Sequence, residues 1–429
     1  MSISRLRNPD NHLSVIVFVL IVVLMLGMTF VCQYPEISHF NRLVGALLVG
    51  SVLMFRFPKG FRMPPEVICF GFFLLYSIPI GLLLAESGIL SDPAESLAKH
   101  YARQLIQTGL LVSAITCFCW LKKSTTGLFV IIVACATILA AYGEILGDHA
   151  AAREADSGYV RATGASGKNA NTYATSLICG ICAAAYLWGT RKVAFLRPFL
   201  ALSVLLMGAA MIVTGSRRGL LVLPVFVVLW LWFCYWRDSS RRCLAVSLTV
   251  ISLIVGYFLY DYVKVHTLVG RRLETTAETE ADEGTRSDLY RRGFELFLEY
   301  PIVGVGLGNF LSASKLGLYA HSEFMEILAS TGLIGCALYF PIYYIPWRRL
   351  TRLHRVVSDS ETRYQIGVSR AIIITMMTSG LAEGNVMSIS FWFLLSGVIG
   401  FSCSLEESTL KTGYSSVKST RRTREPDEV

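Results

Sequence analysis

Charge is what this sequence has least of: Asp, Glu, Lys and Arg make up 16% of its 429 residues, against 54% that are hydrophobic. A soluble chain of this length needs far more polar surface. With a mean hydropathy of +0.54, the sequence reads as a polytopic membrane protein. Metal-ligand clusters are missing as well. The long loops hold no Asp-x-Asp or His-x-His pair, and the acidic run around Asp282 has no coordination spacing, so no metal is expected. The glycine run Gly304-Val-Gly306-Leu-Gly308 lacks the Lys-Ser/Thr and the strand-to-helix setting of a nucleotide loop, and no nucleotide cofactor is expected either. Eleven cysteines are present, but none lies between 263 and 322, which argues against a disulfide framework. Cys179 and Cys182, spaced as a CxxC inside an apolar run, read as small packing residues. The formal charge of +9 comes from short Lys/Arg clusters between apolar runs, the pattern of membrane topology and not of a nucleic-acid partner.

Apolar stretches that reach or approach the length of a bilayer span lie near 13–33, 43–57, 67–86, 103–121, 126–146, 172–189, 198–214, 219–236, 243–262, 323–347, 367–383 and 387–404. The expected fold is therefore an all-α polytopic bundle of about twelve transmembrane helices. The run from Leu13 to Cys32 is too long for a signal-peptide core and has no small-residue cleavage site, so it reads as a retained first helix. Lys and Arg accumulate in cytoplasmic loops. Placing the N-terminus inside puts Arg56/Lys59/Arg62, Lys122/Lys123, Arg191/Lys192/Arg197, Arg237/Arg241/Arg242, Arg348/Arg349/Arg352/Arg355 and the tail from Lys411 to Arg424 on that side. Both termini are then cytoplasmic. The chain divides into helices one to nine over 1–262, an outer loop region over 263–322, helices ten to twelve over 323–404 and a basic tail over 405–429.

On the outer side the exceptions carry the information. The turn Thr214-Gly215-Ser216-Arg217-Arg218-Gly219 puts two arginines where the topology rule disfavours them. They either snorkel to the interface and meet lipid phosphates non-specifically, or hold the anionic group of a lipid substrate, which a guanidinium fork matches. The loop 147–171 contains Arg161, Gly164, Lys168 and Asn171. In the longer loop, Glu274, Glu278, Glu280, Asp282 and Glu283 form a solvated acidic run. A short amphipathic helix is expected from Arg286 to Glu299, with Leu289, Phe294, Phe297 and Leu298 broadly on one side and Pro301 ending the run. Such a helix rests on the membrane surface with Arg286, Arg291 and Arg292 near the headgroups. Tyr-Ala-His321-Ser322 then opens the tenth span, with Ser322 as N-cap and Glu323 and Glu326 at the positive helix end. Gly332 and Gly335 permit close helix packing. A lone interfacial histidine commonly serves as a structural hydrogen-bonding group. This one faces outward after an arginine-rich loop, and its ordinary pKa of about 6.5 suits proton transfer.

His321-Ser322, followed after nine residues by Gly332 and after two more by Gly335, resembles the H[N/S/Q]x9GxxG pattern of the O-antigen ligase and Wzy-type polymerase superfamily. Arg286 and Tyr290 ahead of Pro301-Ile-Val-Gly304-Val-Gly306 look like the segment these proteins carry before that histidine. The Ser216-Arg217 turn is similar to their other essential arginine position, and Arg161, Gly164 and Asn171 resemble their polar loop. The resemblance spans about 160–340. It implies a GT-C-type glycosyltransferase working at the periplasmic face of a Gram-negative inner membrane, with an undecaprenyl-pyrophosphate-linked glycan as donor, a lipid A-core sugar as acceptor, membrane lipids as surroundings and no cofactor. It further implies pyrophosphate binding by Arg217 and Arg286, with Arg218 third, and His321 as the base that deprotonates the acceptor hydroxyl. Arg161, Asn171, Arg291, Arg292 and Glu383 are further candidates for lining the site. Glu383 and its neighbour Asn385 equally suit helix capping. A polymerase or protein-directed oligosaccharyltransferase of the same superfamily is the near alternative. A transporter of lipid-linked glycans is the distant one, and the repeated halves and midplane charges it calls for are not seen.

Overall fold

The structure, a computed structural model, describes residues 9–30, 37–55, 57, 61–87, 94–123, 125–145, 152–153, 160–161, 170–214, 216–236, 242–243, 246–247, 249–250, 285–381 and 388–422. It is helical apart from one antiparallel ladder, β1 (Ala152–Arg153) with β2 (Val160–Arg161). The helices are α1 (Pro9–Phe30), α2 (Ile37–Leu53), α3 (Pro65–Glu86), α4 (Ala94–Lys122), α5 (Thr125–Ile145), α6 (Ala170–Trp188), α7 (Arg197–Val213) and α8 (Arg217–Tyr235), followed by α9 (Thr285–Glu299), α10 (Phe310–Ser314), α11 (Glu323–Tyr339), α12 (Pro341–Val356), α13 (Ser360–Gly380) and α14 (Ile389–Arg422).

Among the described residues, six helical stretches are long and apolar enough to cross a membrane: Pro65–Glu86, Leu97–Lys122, Thr125–Tyr142, Arg191–Ile212, Glu323–Val356 and Ile389–Lys411. His12–Gly27, His39–Leu53 and Leu221–Tyr235 are shorter apolar helices. The protein is thus a helical multi-pass membrane protein, with six full-length spans among the described residues where about twelve are expected over the whole chain. Most of the expected span at 243–262, and residues 263–284 of the expected outer loop, lie outside the described residues.

Helix α14 stands at the centre, against α4, α5, α6 and α12. Gly400 lets its backbone approach the Thr116 carbonyl, and Gly397 lies against the Phe129 ring. Without a hydrophobic drive between helices in lipid, such close backbone approach is what packs them. Helix α6 is enclosed, with Tyr173, Leu177, Ala183 and Leu187 fully buried and Cys179 and Cys182 beside them as packing residues. One ion pair ties the bundle far from His321. Glu66 in the first turn of α3 is fully buried and accepts from Arg349 of α12 at 2.5 and 3.1 Å. The same guanidinium meets Ser402 at 2.9 Å and Glu406 at 2.8 Å on α14.

The tenth expected span, 323–347, is not one continuous helix. Gly332 has φ +62° and ψ −163°, which ends one helical segment at Thr331 and starts another. A straight helix would separate Glu323 and Tyr339 by about 24 Å. Instead the Tyr339 hydroxyl donates to Glu323 Oε1 at 2.5 Å, and Tyr343 of α12 donates to the same oxygen at 2.7 Å. Each helix end so created leaves backbone groups without intrahelical partners, and in hydrocarbon each costs several kcal/mol. The Pro301–Gly306 segment supplies both sets. Val305 and Gly306 amides donate to the Ala329 and Ser330 carbonyls at 3.0 and 2.8 Å, while the Leu333 and Ile334 amides donate to the Pro301 and Ile302 carbonyls at 2.9 and 3.3 Å. From α3, the Tyr76 hydroxyl reaches the Thr331 carbonyl at 3.1 Å and the Gly81 carbonyl accepts from Asn309 Nδ2 at 3.0 Å. Gly332 was expected to serve helix packing; its role is the break itself. Only glycine suits it, since a Cβ would strike the Ile302 carbonyl.

Gly332→Ala should cost about 1–3 kcal/mol from backbone strain alone, plus the overlap. Gly317, with φ +65° and open space around it, is the control. A melting temperature in detergent that falls no further for Gly332→Ala than for Gly317→Ala would remove the break from the account. Glu66→Ala leaves a buried guanidinium short of its main partner and should lower stability by about 3–5 kcal/mol. Glu66→Leu combined with Arg349→Met should recover most of that loss in the same unfolding measurement.

Candidate functional site

His321 sits one residue ahead of α11 in a left-handed backbone conformation, φ +50°, and is half-buried. Its neighbours hold this turn. Ser322 is the N-cap, accepting from the Met325 amide at 3.5 Å, and its carbonyl accepts from the Glu326 amide at 2.9 Å. The Glu326 carboxylate turns back, with Oε2 accepting from the Ala320 amide at 3.4 Å and Oε1 from the Ser330 hydroxyl at 3.3 Å. Glu323 and Glu326 were expected to favour the positive helix end. Both are buried beneath His321, and their tyrosine, serine and backbone partners are what makes burying carboxylates there tolerable.

Helix α9 lies across this turn. Leu289 and Leu296 pack with Val305, Phe310, Ala313, Ala320, Ala329 and Met325. Gly293 permits the approach, since a Cβ there would already sit 3.2 Å from Met325 Cε and 3.4 Å from the Phe310 ring. The buried face is therefore Leu289-Gly293-Leu296. Phe294 and Leu298, expected on the same side as Leu289, are instead exposed, which suits a helix that rests on the membrane surface. Arg286 stands one turn ahead of Tyr290, and the Tyr290 hydroxyl donates to the Leu381 carbonyl at the end of α13 at 3.1 Å.

That same end of α13 holds the other arginine turn. Arg218 is only 7% exposed, and its Nε donates to the Ser379 hydroxyl at 3.0 Å. Ser216 caps α8 by accepting from the Gly219 amide at 3.3 Å, and its hydroxyl bonds Asn171 Oδ1 in α6 at 2.9 Å. A Cβ at Gly219 would stand 3.1 Å from Met211 and 3.4 Å from Ala174, so the first turn of α8 is wedged between α6 and α7. Through Ser379 and Leu381, the starts of α6 and α8, the end of α13 and the first turns of α9 are joined, and α9 in turn carries the His321 turn. Helix N-termini and arginines gather at one end of the bundle, an electropositive setting for an anion.

Asn171, Arg218 and His321 are thus brought to one end, and the backbones of Arg217 and Arg286 lie in the adjoining first turns. The side chains of Arg217, Arg286 and Arg161 lie outside the described residues, as does all of Glu383; the backbone of Arg161 pairs with Ala152. Arg291 and Arg292 are engaged along their own helix. Arg291 pairs with Asp288 at 3.0 Å, and Arg292 with Glu295 at 3.2 Å and Glu299 at 2.9 Å. The sequence reading missed Ser379, Tyr290, Tyr339 and Tyr343 as partners. Ser379 lies 161 positions from Arg218, a separation that leaves no local signal. Glu326, four places after the N-cap, was visible as an acid but not as the clamp of the turn.

No curated protein matches the chain. Residues 202–340 match the O-antigen ligase family profile, about a third of the sequence. That stretch holds Arg217, Arg218, Arg286, His321 and both strands of the Gly332 splice. Over this segment the chain is similar to the O-antigen ligase family, consistent with a member of the O-antigen ligase and Wzy-type polymerase superfamily.

Proposed function

We propose that the protein is an O-antigen ligase: a glycosyltransferase that moves a polysaccharide from undecaprenyl pyrophosphate to a sugar hydroxyl of lipid A-core. The observation that carries this reading is the family match over 202–340, because the segment contains the histidine and the arginine turns that the fold gathers at one end. In the proposed reaction His321 takes the proton of the acceptor hydroxyl as its oxygen bonds to the anomeric carbon. The anomeric C–O bond to phosphate breaks on the opposite face, and the electron pair leaves on undecaprenyl pyrophosphate, inverting the configuration. Arg217 and Arg286, with Arg218 behind them, stabilise the charge that develops on the phosphate oxygens. The donor's phosphate bond supplies the free energy, and two cations take the part a divalent ion plays elsewhere, so the reaction is proposed to be metal-independent. The site faces the periplasm, and both termini are cytoplasmic, as the distribution of Lys and Arg favours. Residues 263–322 then form the outer loop region of the site.

The deciding assay is transfer by the purified protein in liposomes, with chelator present and a lipid-pyrophosphate glycan as donor. Product on lipid A-core is expected. Product only on a second lipid-linked glycan would make the protein a polymerase instead. His321→Ala should keep its melting temperature and lose about 10²–10⁴-fold in transfer rate. Arg286→Lys should also be severely impaired, since an ammonium lacks the planar fork; near-normal rates in either variant would take that residue out of the mechanism. Ser379→Ala should lower transfer by releasing Arg218, and an unchanged rate would show that the hydroxyl does not hold it for catalysis.

A further inference from the structure

Arg370 of α13 is the intramembrane-facing cation that the site does not use. Its guanidinium is stacked between the rings of Phe233 on α8 and Trp347 on α12, at 4.3 and 4.7 Å from their centroids. No described carboxylate, hydroxyl or carbonyl accepts from it, and its Nε is buried without a partner. The other partly or wholly buried arginines among the described residues are satisfied differently: Arg349 by Glu66, Arg218 by Ser379, Arg292 by Glu295 and Glu299, and Arg363 by the Val357 carbonyl at 3.0 Å. The nearest ionisable groups are Cys234 and a second cation, Arg355 of α12. Two like charges with no acid among the described residues between them repel each other, and a bound anion relieves this.

The level of the groove is set by three elements. In α13 the polar stretch SETRYQIGVSR ends at Arg370 and the apolar stretch AIIITMM begins. In α12 the apolar PIYYIPW ends at Trp347, and two arginines follow. Helix α8 closes on Phe233-Cys-Tyr-Trp236. Aromatics mark the headgroup level of a bilayer, and here Trp230, Tyr235 and Tyr364 surround the same point, with Trp230 donating to the Tyr364 hydroxyl at 3.1 Å. This is the end of the bundle away from His321, because α8 starts at Arg217 and Phe233 stands about 24 Å further along it. Tyr344, exposed one turn toward the apolar side of Trp347, offers a surface to acyl chains.

We propose that the groove between α8, α12 and α13 binds an anionic membrane phospholipid, with its phosphate on Arg370 and Arg355 and its chains along α12. Interhelical basic pockets at headgroup level take such lipids, and a guanidinium fixed by two rings presents its remaining donors at little further entropy cost.

The test is lipid binding by the full-length protein in mild detergent, read by native mass spectrometry and thermal shift, with phosphatidylglycerol, phosphatidylcholine and inorganic phosphate added separately. Phosphatidylglycerol should remain bound and raise the melting temperature, and phosphatidylcholine should do so far less. Arg370→Gln should weaken phosphatidylglycerol binding about fivefold or more, the loss of one cation near the surface. Arg355→Gln, at an exposed position, should weaken it too and serves if Arg370→Gln fails to fold. Wild-type affinity in both variants would overturn the proposal, as would an equal shift from phosphatidylcholine or from inorganic phosphate alone. The readout involves no glycan transfer, so it stands or falls apart from the proposed reaction.

Discussion

The backbone exchange at Gly332 is the constraint on which the rest depends. A helix that stops inside a membrane protein leaves carbonyls pointing one way and amides the other, and both must be met within the protein. The turn from Pro301 to Gly306 meets both at once, its carbonyls accepting from one set and its amides donating to the other. That pairing turns 323–331 into a half-helix with His321 at its mouth, folds Tyr339 back onto Glu323, and provides the seat on which α9 rests. Without the exchange, a straight α11 would carry Tyr339 and Tyr343 out of reach of Glu323.

Charge is then distributed by depth. Acids lie beneath the histidine, bonded to hydroxyls and to backbone amides, and Arg218 lies at the start of α8 at the same end of the bundle. The Ser379 hydroxyl accepts from the buried Arg218 guanidinium, a neutral oxygen beside a cation. At Arg349 the opposite choice was made: two carboxylates, Glu66 and Glu406, close around one guanidinium and tie three helices together.

Much of this was legible in the sequence. The long apolar runs placed α1 to α3 and α5 to α8 within a few residues, because burial in lipid demands such runs; α4 and α13 begin earlier than expected, α12 was not separated from the tenth span, and α14 continues well past 404. Ser322 as a cap, the amphipathic α9 and the gathering of Arg218 with His321 at one end also followed from local chemistry. The break at Gly332 did not. Apolar composition runs unbroken through 323–347, and what interrupts the helix is a strand-like partner supplied by residues 301–306. Likewise Phe294 and Leu298 read as sharing one side with Leu289, yet Leu289 packs inward while Phe294 and Leu298 are exposed.

The hydrogen bonds around the site differ widely in how far along the chain they reach. The Gly332 exchange joins residues about thirty positions apart and is complete once α11 has been made. Arg218 and Tyr290 find Ser379 and Leu381 only after α13 has followed. During synthesis the histidine turn is therefore shaped early, while the arginine turn, already held against α6 and α7, gains its contact with α13 only when nearly the whole chain is in the membrane. Such an order of assembly leaves the joining of the two turns to the last part of the chain.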